Sequence, residues 1–266
     1  MAITPWEAVA GRKTYELSHP MHNDMPRYPV HPPFYFTLAK RHGDFTRGEG
    51  YSFANDVMFV SGHSGTHLDG LGHVSLCGFT HGEKEVGPLQ TGAHGLNELG
   101  VETVAPILHR GVLLDVAGHR GVDCLDAAEP ITARELEAVA RAERVELREG
   151  DCVLVRTGWA RHWSNPPKFL SLDEGLPGPD LEAARWLAGH KIFLTGSDTI
   201  VYEQRLPNPG IGHVHLALLV DAGIHIVESM ALDELAADRA YEFLFVALPW
   251  RVVGATGSPI RAIAVV

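Results

Sequence analysis

The chain has 266 residues, 45% hydrophobic and 21% charged, enough to bury a sizeable core in one domain without covalent staples. A formal charge of −11 argues against a nucleic-acid partner, and no apolar run approaches the roughly 18 residues of a membrane span. Three scattered cysteines, Cys77, Cys124 and Cys152, contain no C-x-x-C and form neither a disulfide framework nor a thiolate zinc site. The segment Met1–Glu7 lacks a basic, then apolar, leader pattern, so a cytoplasmic globular protein is expected.

In chain order, Tyr28–Pro33 (YPVHPP) is too proline-dense for a helix or a central strand and reads as a pinned loop. Of the aromatics Phe34, Tyr35 and Phe36, at least two are expected in the core. Val57–Val60 reads as a short buried strand running into a glycine-punctuated stretch, and Gly111–Val116 as another strand. Thr132-Ala-Arg-Glu135 has the form of a capping box, opening a helix with Leu136, Val139 and Ala140 on one face and ending near Arg144. Gly150-Asp151 turns the chain into a strand at Cys152–Arg156. Residues 162–179 hold four prolines and no period, the pattern of a long loop that covers a site. Asp180 caps a helix through Leu187, with Gly189 as its stop. Strands are expected at Lys191–Thr195, Ile224–Val227, Phe243–Leu248 and Arg261–Val265. With no linker and no repeat, the alternation indicates one α/β domain over residues 1–266.

Sixteen histidines stand out. His63, His67, Asp69 and His73 fall within eleven residues, among glycines that let a turning backbone bring separated side chains to one point. Imidazole and carboxylate are the donors that zinc, manganese and iron(II) accept. Two His and one Asp leave coordination positions open, which favours a catalytic over a closed structural site. His73 is then a fourth ligand or a proton carrier. A second constellation, His213-Val-His215 followed by Glu228 at the end of an apolar run, is a candidate second half of the site.

At these residues a family resemblance emerges. His63-Ser-Gly-Thr-His67-Leu-Asp69-Gly-Leu-Gly-His73 resembles the H-x-G-T-H-x-D-x-x-x-H signature of the cyclase-like metal-dependent hydrolases, which include bacterial kynurenine formamidases and isatin hydrolases. Leu17–Pro20 with Met25–Pro29, Val155–Trp159, Gly178–Asp180 with Trp186-Leu187, Thr195–Thr199 and Gly223–Glu228 are similar to family stretches in the same order. The resemblance implies a swivelling β/α arrangement with a mixed sheet curled toward a barrel, assembled as a homodimer or homotetramer. It implies His63, His67 and Asp69 as metal ligands, with Asp69 touching both ions in two-metal members. His73 would donate and accept the proton, His215 would bind a second ion with His213 as its rival, Glu228 would bridge, and Tyr28 would pack on the substrate. The implied cofactor is Zn²⁺ or Mn²⁺, one or two ions per subunit.

The implied reaction is hydrolysis of a C–N amide bond in an aryl formamide or cyclic amide, with a lactone or other ester as the alternative. The substrate would be a small aromatic or cyclic molecule. Three positions depart from the formamidases: Leu71 stands where they have Pro, Tyr28 where they have Trp, and Val30 where they have Gly. All three lie around the substrate rather than among the ligands. A non-haem iron oxygenase also uses two His and one carboxylate, but typically in the order H-x-D with a distant second His. A catalytically inactive metal-binding relative is the reading from another class; it has no need of a spare imidazole at His73.

Overall fold

The computed structural model describes residues 4–207 and 212–266. Its principal strands are β1 (Thr14–Glu16), β2 (Tyr35–Lys40), β3 (Asn55–Phe59), β4 (His67–Asp69), β5 (Ile107–Asp115), β6 (Cys152–Arg156), β7 (Leu194–Ser197), β8 (His225–Glu228), β9 (Glu242–Ala247), β10 (Gly257–Pro259) and β11 (Ile263–Val265). Nine of them join one mixed sheet in the order β1-β11-β9-β5-β6-β7-β8-β4-β10. The run β5-β6-β7-β8 is parallel, and every pairing outside it is antiparallel. The sheet curls through 275° as a half-barrel, the arrangement that the resemblance implies.

Side chains alternate between the two faces of a strand, and both faces of this sheet are covered. Leu113, Leu154, Leu194 and Val227 join Tyr15, Leu17, Leu68, Phe245 and Ala264 in one buried cluster. Strands from opposite ends of the sheet meet there, which identifies it as the concave interior. The alternate residues Val112, Leu114, Val153, Val155 and Ile226 pack on the other face against helices α1 (Ala133–Glu143) and α3 (Leu181–Gly189). The parallel strands are apolar on both faces because both are buried.

The helix signals hold with local differences. Thr132 accepts from the Glu135 amide at 3.3 Å, and Arg144 ends α1 with a left-handed backbone (φ 60°). Glu135 does not reach back to complete the capping box. It pairs with Arg120 at 2.6 and 2.7 Å, a charged partner that outcompetes a neutral amide. Asp180 caps α3 through the Ala183 amide at 2.8 Å, but Gly189 lies inside the helix and His190 is its cap. Residues 162–179 are not one loop: α2 (Pro166–Leu170) forms there, capped by Asn165, and Trp163 and Phe169 pack against Met25.

Two core expectations are overturned. Val57–Val60 is not a buried strand: the strand there is Asn55–Phe59, and it pairs with Tyr35–Lys40 in a separate two-stranded ribbon that is exposed over nearly all its length. Tyr35 is 53% and Phe36 38% exposed, leaving only Phe34 partly buried. The apolar composition reflects a surface that nothing among the described residues covers.

Glu143, at the end of α1, gives a testable feature of the fold. One carboxylate oxygen accepts from the Asp115 amide at 2.9 Å, and the other is buried without a partner. Burial pushes its carboxyl from the ordinary 4.5 up to about 8. Folding therefore favours the protonated form. That contribution is complete below about pH 4.5 and is lost as pH rises through about 8. Glu143→Gln should raise the melting temperature at pH 9 and leave it nearly unchanged at pH 5. Equal shifts at both pH values would refute the assignment.

Candidate metal centre

The centre is assembled by strand register. β4 lies between β8 and β10, with His67 opposite Glu228 and Asp69 opposite Ile226. Residues directly opposite point to the same face, so His67, Asp69 and Glu228 project together while Leu68, between the first two, enters the concave core. The turn before β4 brings His63 over the same face. Its fit depends on two glycines: a Cβ on Gly62 would lie 2.5 Å from the Gly257 carbonyl oxygen, and one on Gly257 would lie 2.5 Å from the His63 ring. His215 arrives from the opposite side on α4 (His213–His215), which continues into a π-helical turn at Leu216–Ala222.

Asp69 is the hinge of the geometry. Its Oδ1 lies 2.8 Å from His63 Nδ1 and 3.5 Å from His67 Nε2, and its Oδ2 lies 3.7 Å from His215 Nε2. Glu228 reaches His215 Nε2 at 3.2 Å through Oε1 and His67 Nε2 at 3.6 Å through Oε2. Two triads could each hold a metal ion, His63–His67–Asp69 and Asp69–His215–Glu228, with donor atoms within 4.8 Å of one another. They share Asp69.

The donor set suits a divalent cation. His67 Nδ1 donates to the Gly65 carbonyl at 2.9 Å, leaving the Nε2 lone pair facing the carboxylates. His63 Nε2 bonds Thr256 Oγ1 at 3.0 Å, leaving Nδ1 toward Asp69. His215 Nδ1 donates to Glu203 at 2.8 Å. Each imidazole is thus held on one nitrogen and offered on the other, the arrangement expected of metal-binding histidines.

The charges respond accordingly. Burial works to lower His63 and His215, but hydrogen bonds and charge from Asp69 raise the first, and Glu203, Asp69 and Glu228 hold the second well above 6.5. Burial works to raise Asp69, yet the imidazoles of His73, His215, His63 and His67 hold it well below 3.8.

His73 lies beside the two triads, its ring 4.0 Å from that of His63, and burial pushes its pKa down to about 4. His213 is exposed and outside the cluster; of the two candidates, His215 is the one brought to it. Tyr28 is half-buried and one ring removed: it sits 6.0 Å from His31, which stacks on His63 at 5.0 Å. Sequence reasoning missed Glu203, Thr256 and His31. A glutamate or threonine in a polar segment has no local signal of burial, and His31 stood in a segment read only as a loop.

The sequence profile of the family described as "Putative cyclase" matches residues 15–204. The chain belongs to this family. It is 28% identical over 232 residues to the isatin hydrolase of Roseibium aggregatum, covering 82% of this chain and 77% of that protein. It is 24% identical over 252 residues to the kynurenine formamidase of Sphingopyxis alaskensis, covering 94% and 97%. A solved structure described as a novel cyclase superposes with a TM-score of 0.89 at 28% identity, covering 97% of this chain and 88% of that one. An isatin hydrolase bound to the product analogue thioisatinate gives 0.74 at 24%, covering 96% and 92%, a likeness of fold.

The geometry generates two expectations for metal binding. His67→Ala removes a nitrogen from the centre, so the variant should emerge without stoichiometric metal by mass spectrometry; full occupancy would exclude His67. A divalent ion must also displace the protons that the carboxylates favour on His63 and His215. Zn²⁺ affinity should therefore rise from pH 6 to pH 8, with protons released in calorimetry. Binding with no proton release would contradict the site.

Proposed function

We propose that this chain is a divalent-metal-dependent hydrolase of a C–N amide bond, in an aryl formamide or a cyclic amide. The observation that carries the reading is Asp69, whose two oxygens face separate sets of imidazole donors. Zn²⁺ or Mn²⁺, as one or two ions, would be held by His63, His67, Asp69, His215 and Glu228. An ion so held supplies a Lewis acid and brings the pKa of water from about 15.7 toward ~7. Two carboxylates with three imidazoles offset the charge of such ions, as closely spaced dications require.

His73 is the proton carrier of this reading. Its ring lies 4.0 Å from that of His63, where it would take a proton from the attacking water and pass it to the leaving nitrogen. Tyr28 and His31 form a wall of flat rings leading to His63, which suits a planar substrate. The relatives named isatin hydrolase and kynurenine formamidase support an amide over a lactone.

A homodimer or homotetramer is part of the proposal. Eight large apolar side chains between Tyr35 and Phe59 are 38–60% exposed. At roughly 150–250 Å² for a whole aromatic side chain, they offer on the order of 700 Å², near the ~800 Å² per partner of a standard interface. Among the described residues no helix is long and apolar enough to cross a membrane, and all three cysteines are unpaired, consistent with a cytoplasmic enzyme.

The decisive experiment is a screen of formanilides, isatins and simple lactones with protein loaded with Zn²⁺ or Mn²⁺. Amide turnover that chelator abolishes is expected; metal-loaded protein inert toward every amide would overturn the reading. Within it, His73→Ala should keep its metal and lose roughly 10²–10⁴ in rate. A metal-free variant would make His73 a ligand instead. Light scattering should give two or four chains per particle, and Phe59→Lys should shift the distribution toward monomer; a monomeric wild type would refute the assembly.

A further inference from the structure

Glu203 has no place in the ligand set, yet it is buried and touches the centre. Its Oε2 accepts two hydrogen bonds from one residue, His215, from the backbone amide at 2.9 Å and from Nδ1 at 2.8 Å. Its other oxygen faces Gly212, where a Cβ would lie 2.7 Å away. A side chain at that position would dislodge the carboxylate.

The neighbouring residue is committed to the same half of the centre. The Tyr202 amide donates to Glu228 Oε1 at 2.9 Å. Tyr202 is fully buried, and its hydroxyl bonds Thr195 Oγ1 at 2.7 Å, which in turn donates to the Val153 carbonyl at 2.9 Å. Gly178 closes the other side: a Cβ there would lie 2.6 Å from backbone atoms of Tyr202 and Glu203. The dipeptide is thus fastened to β6 and β7 and grips Glu228 through Tyr202 and His215 through Glu203.

We propose that Glu203 is a positioning residue that fixes the ring orientation and tautomer of His215, and so acts on the metal affinity of the Asp69–His215–Glu228 triad far more than on that of its neighbour. With the proton on Nδ1 directed at the carboxylate, Nε2 keeps its lone pair toward Asp69 and Glu228. The opposite tautomer would set the Nδ1 lone pair against Glu203 Oε2. A carboxylate behind a histidine also raises its basicity as a ligand. The imidazoles of the other triad are oriented by different groups, the Gly65 carbonyl and Thr256, so Glu203 reaches that triad only indirectly, through the shared Asp69 and through Glu228. This inference rests on the metal-binding reading above.

The test is Zn²⁺ titration of the full chain, stripped of metal, against a chelator of known affinity. Glu203→Ala should weaken one of two ions by roughly 10–100-fold, the usual effect of losing such a partner, and leave the other within about threefold. Glu203→Gln retains an acceptor for Nδ1–H without the charge and should recover part of the loss. The Gln variant also carries the test if Ala fails to fold. Unchanged affinities in folded Ala and Gln variants would overturn the proposal. Equal weakening of both ions would do so too, since it would mean a general structural role. Wild-type protein that binds no Zn²⁺ would instead refute the metal reading on which the proposal rests.

Discussion

The antiparallel register of β4 against β8 is the constraint on which the centre depends. Because His67 lies opposite Glu228, one alternation of the pleat turns His67 and Asp69 toward the donors and Leu68 into the core. A one-residue slip would exchange these faces, sending both polar residues into a cluster of wholly apolar side chains. That cluster therefore enforces the site: Leu68 is fully buried among Leu17, Val227 and Ala262. Burial of an apolar side chain is worth roughly 1.5–3 kcal/mol, and burying an unpaired carboxylate costs more than that.

The parts of the centre legible in the sequence were those that local chain geometry can reach. His63, His67 and Asp69 lie within seven residues, and a turn followed by a strand suffices to gather them. Glu228 and His215 lie far along the chain, and only the family resemblance connected them to the cluster. Glu203 had neither advantage. Its meaning comes from Gly212, Gly178 and the Tyr202 anchor, close approaches that exist only in three dimensions.

For the fold, the parallel strands were legible because residues buried on both faces read as continuous apolar runs. The same logic misled at Val57–Val60, where apolar composition signals a surface that avoids water but does not say which surface covers it. The Glu135 cap failed for a related reason. Its local amide was available, but Arg120, distant in sequence and close in space, was the stronger partner. At Glu135 a long-range contact overrode a valid local preference.

The imidazoles around Asp69 divide by what faces them. His63 and His215 are almost enclosed, yet carboxylates raise their pKa against the pull of burial. His73 is also largely removed from water and His31 half-buried, but no carboxylate bonds them, and burial prevails: both fall to about 4. Protons are thus drawn to the carboxylate-backed nitrogens, while the two rings that lie against His63 stay neutral at pH 7. A dication seated among the carboxylates would deepen this division, since positive charge further disfavours protonation of adjacent rings. In the proposed reaction, metal binding and proton transfer would therefore occupy neighbouring imidazoles without competing for the same nitrogen, and the separation follows from where the three buried carboxylates Asp69, Glu203 and Glu228 stand.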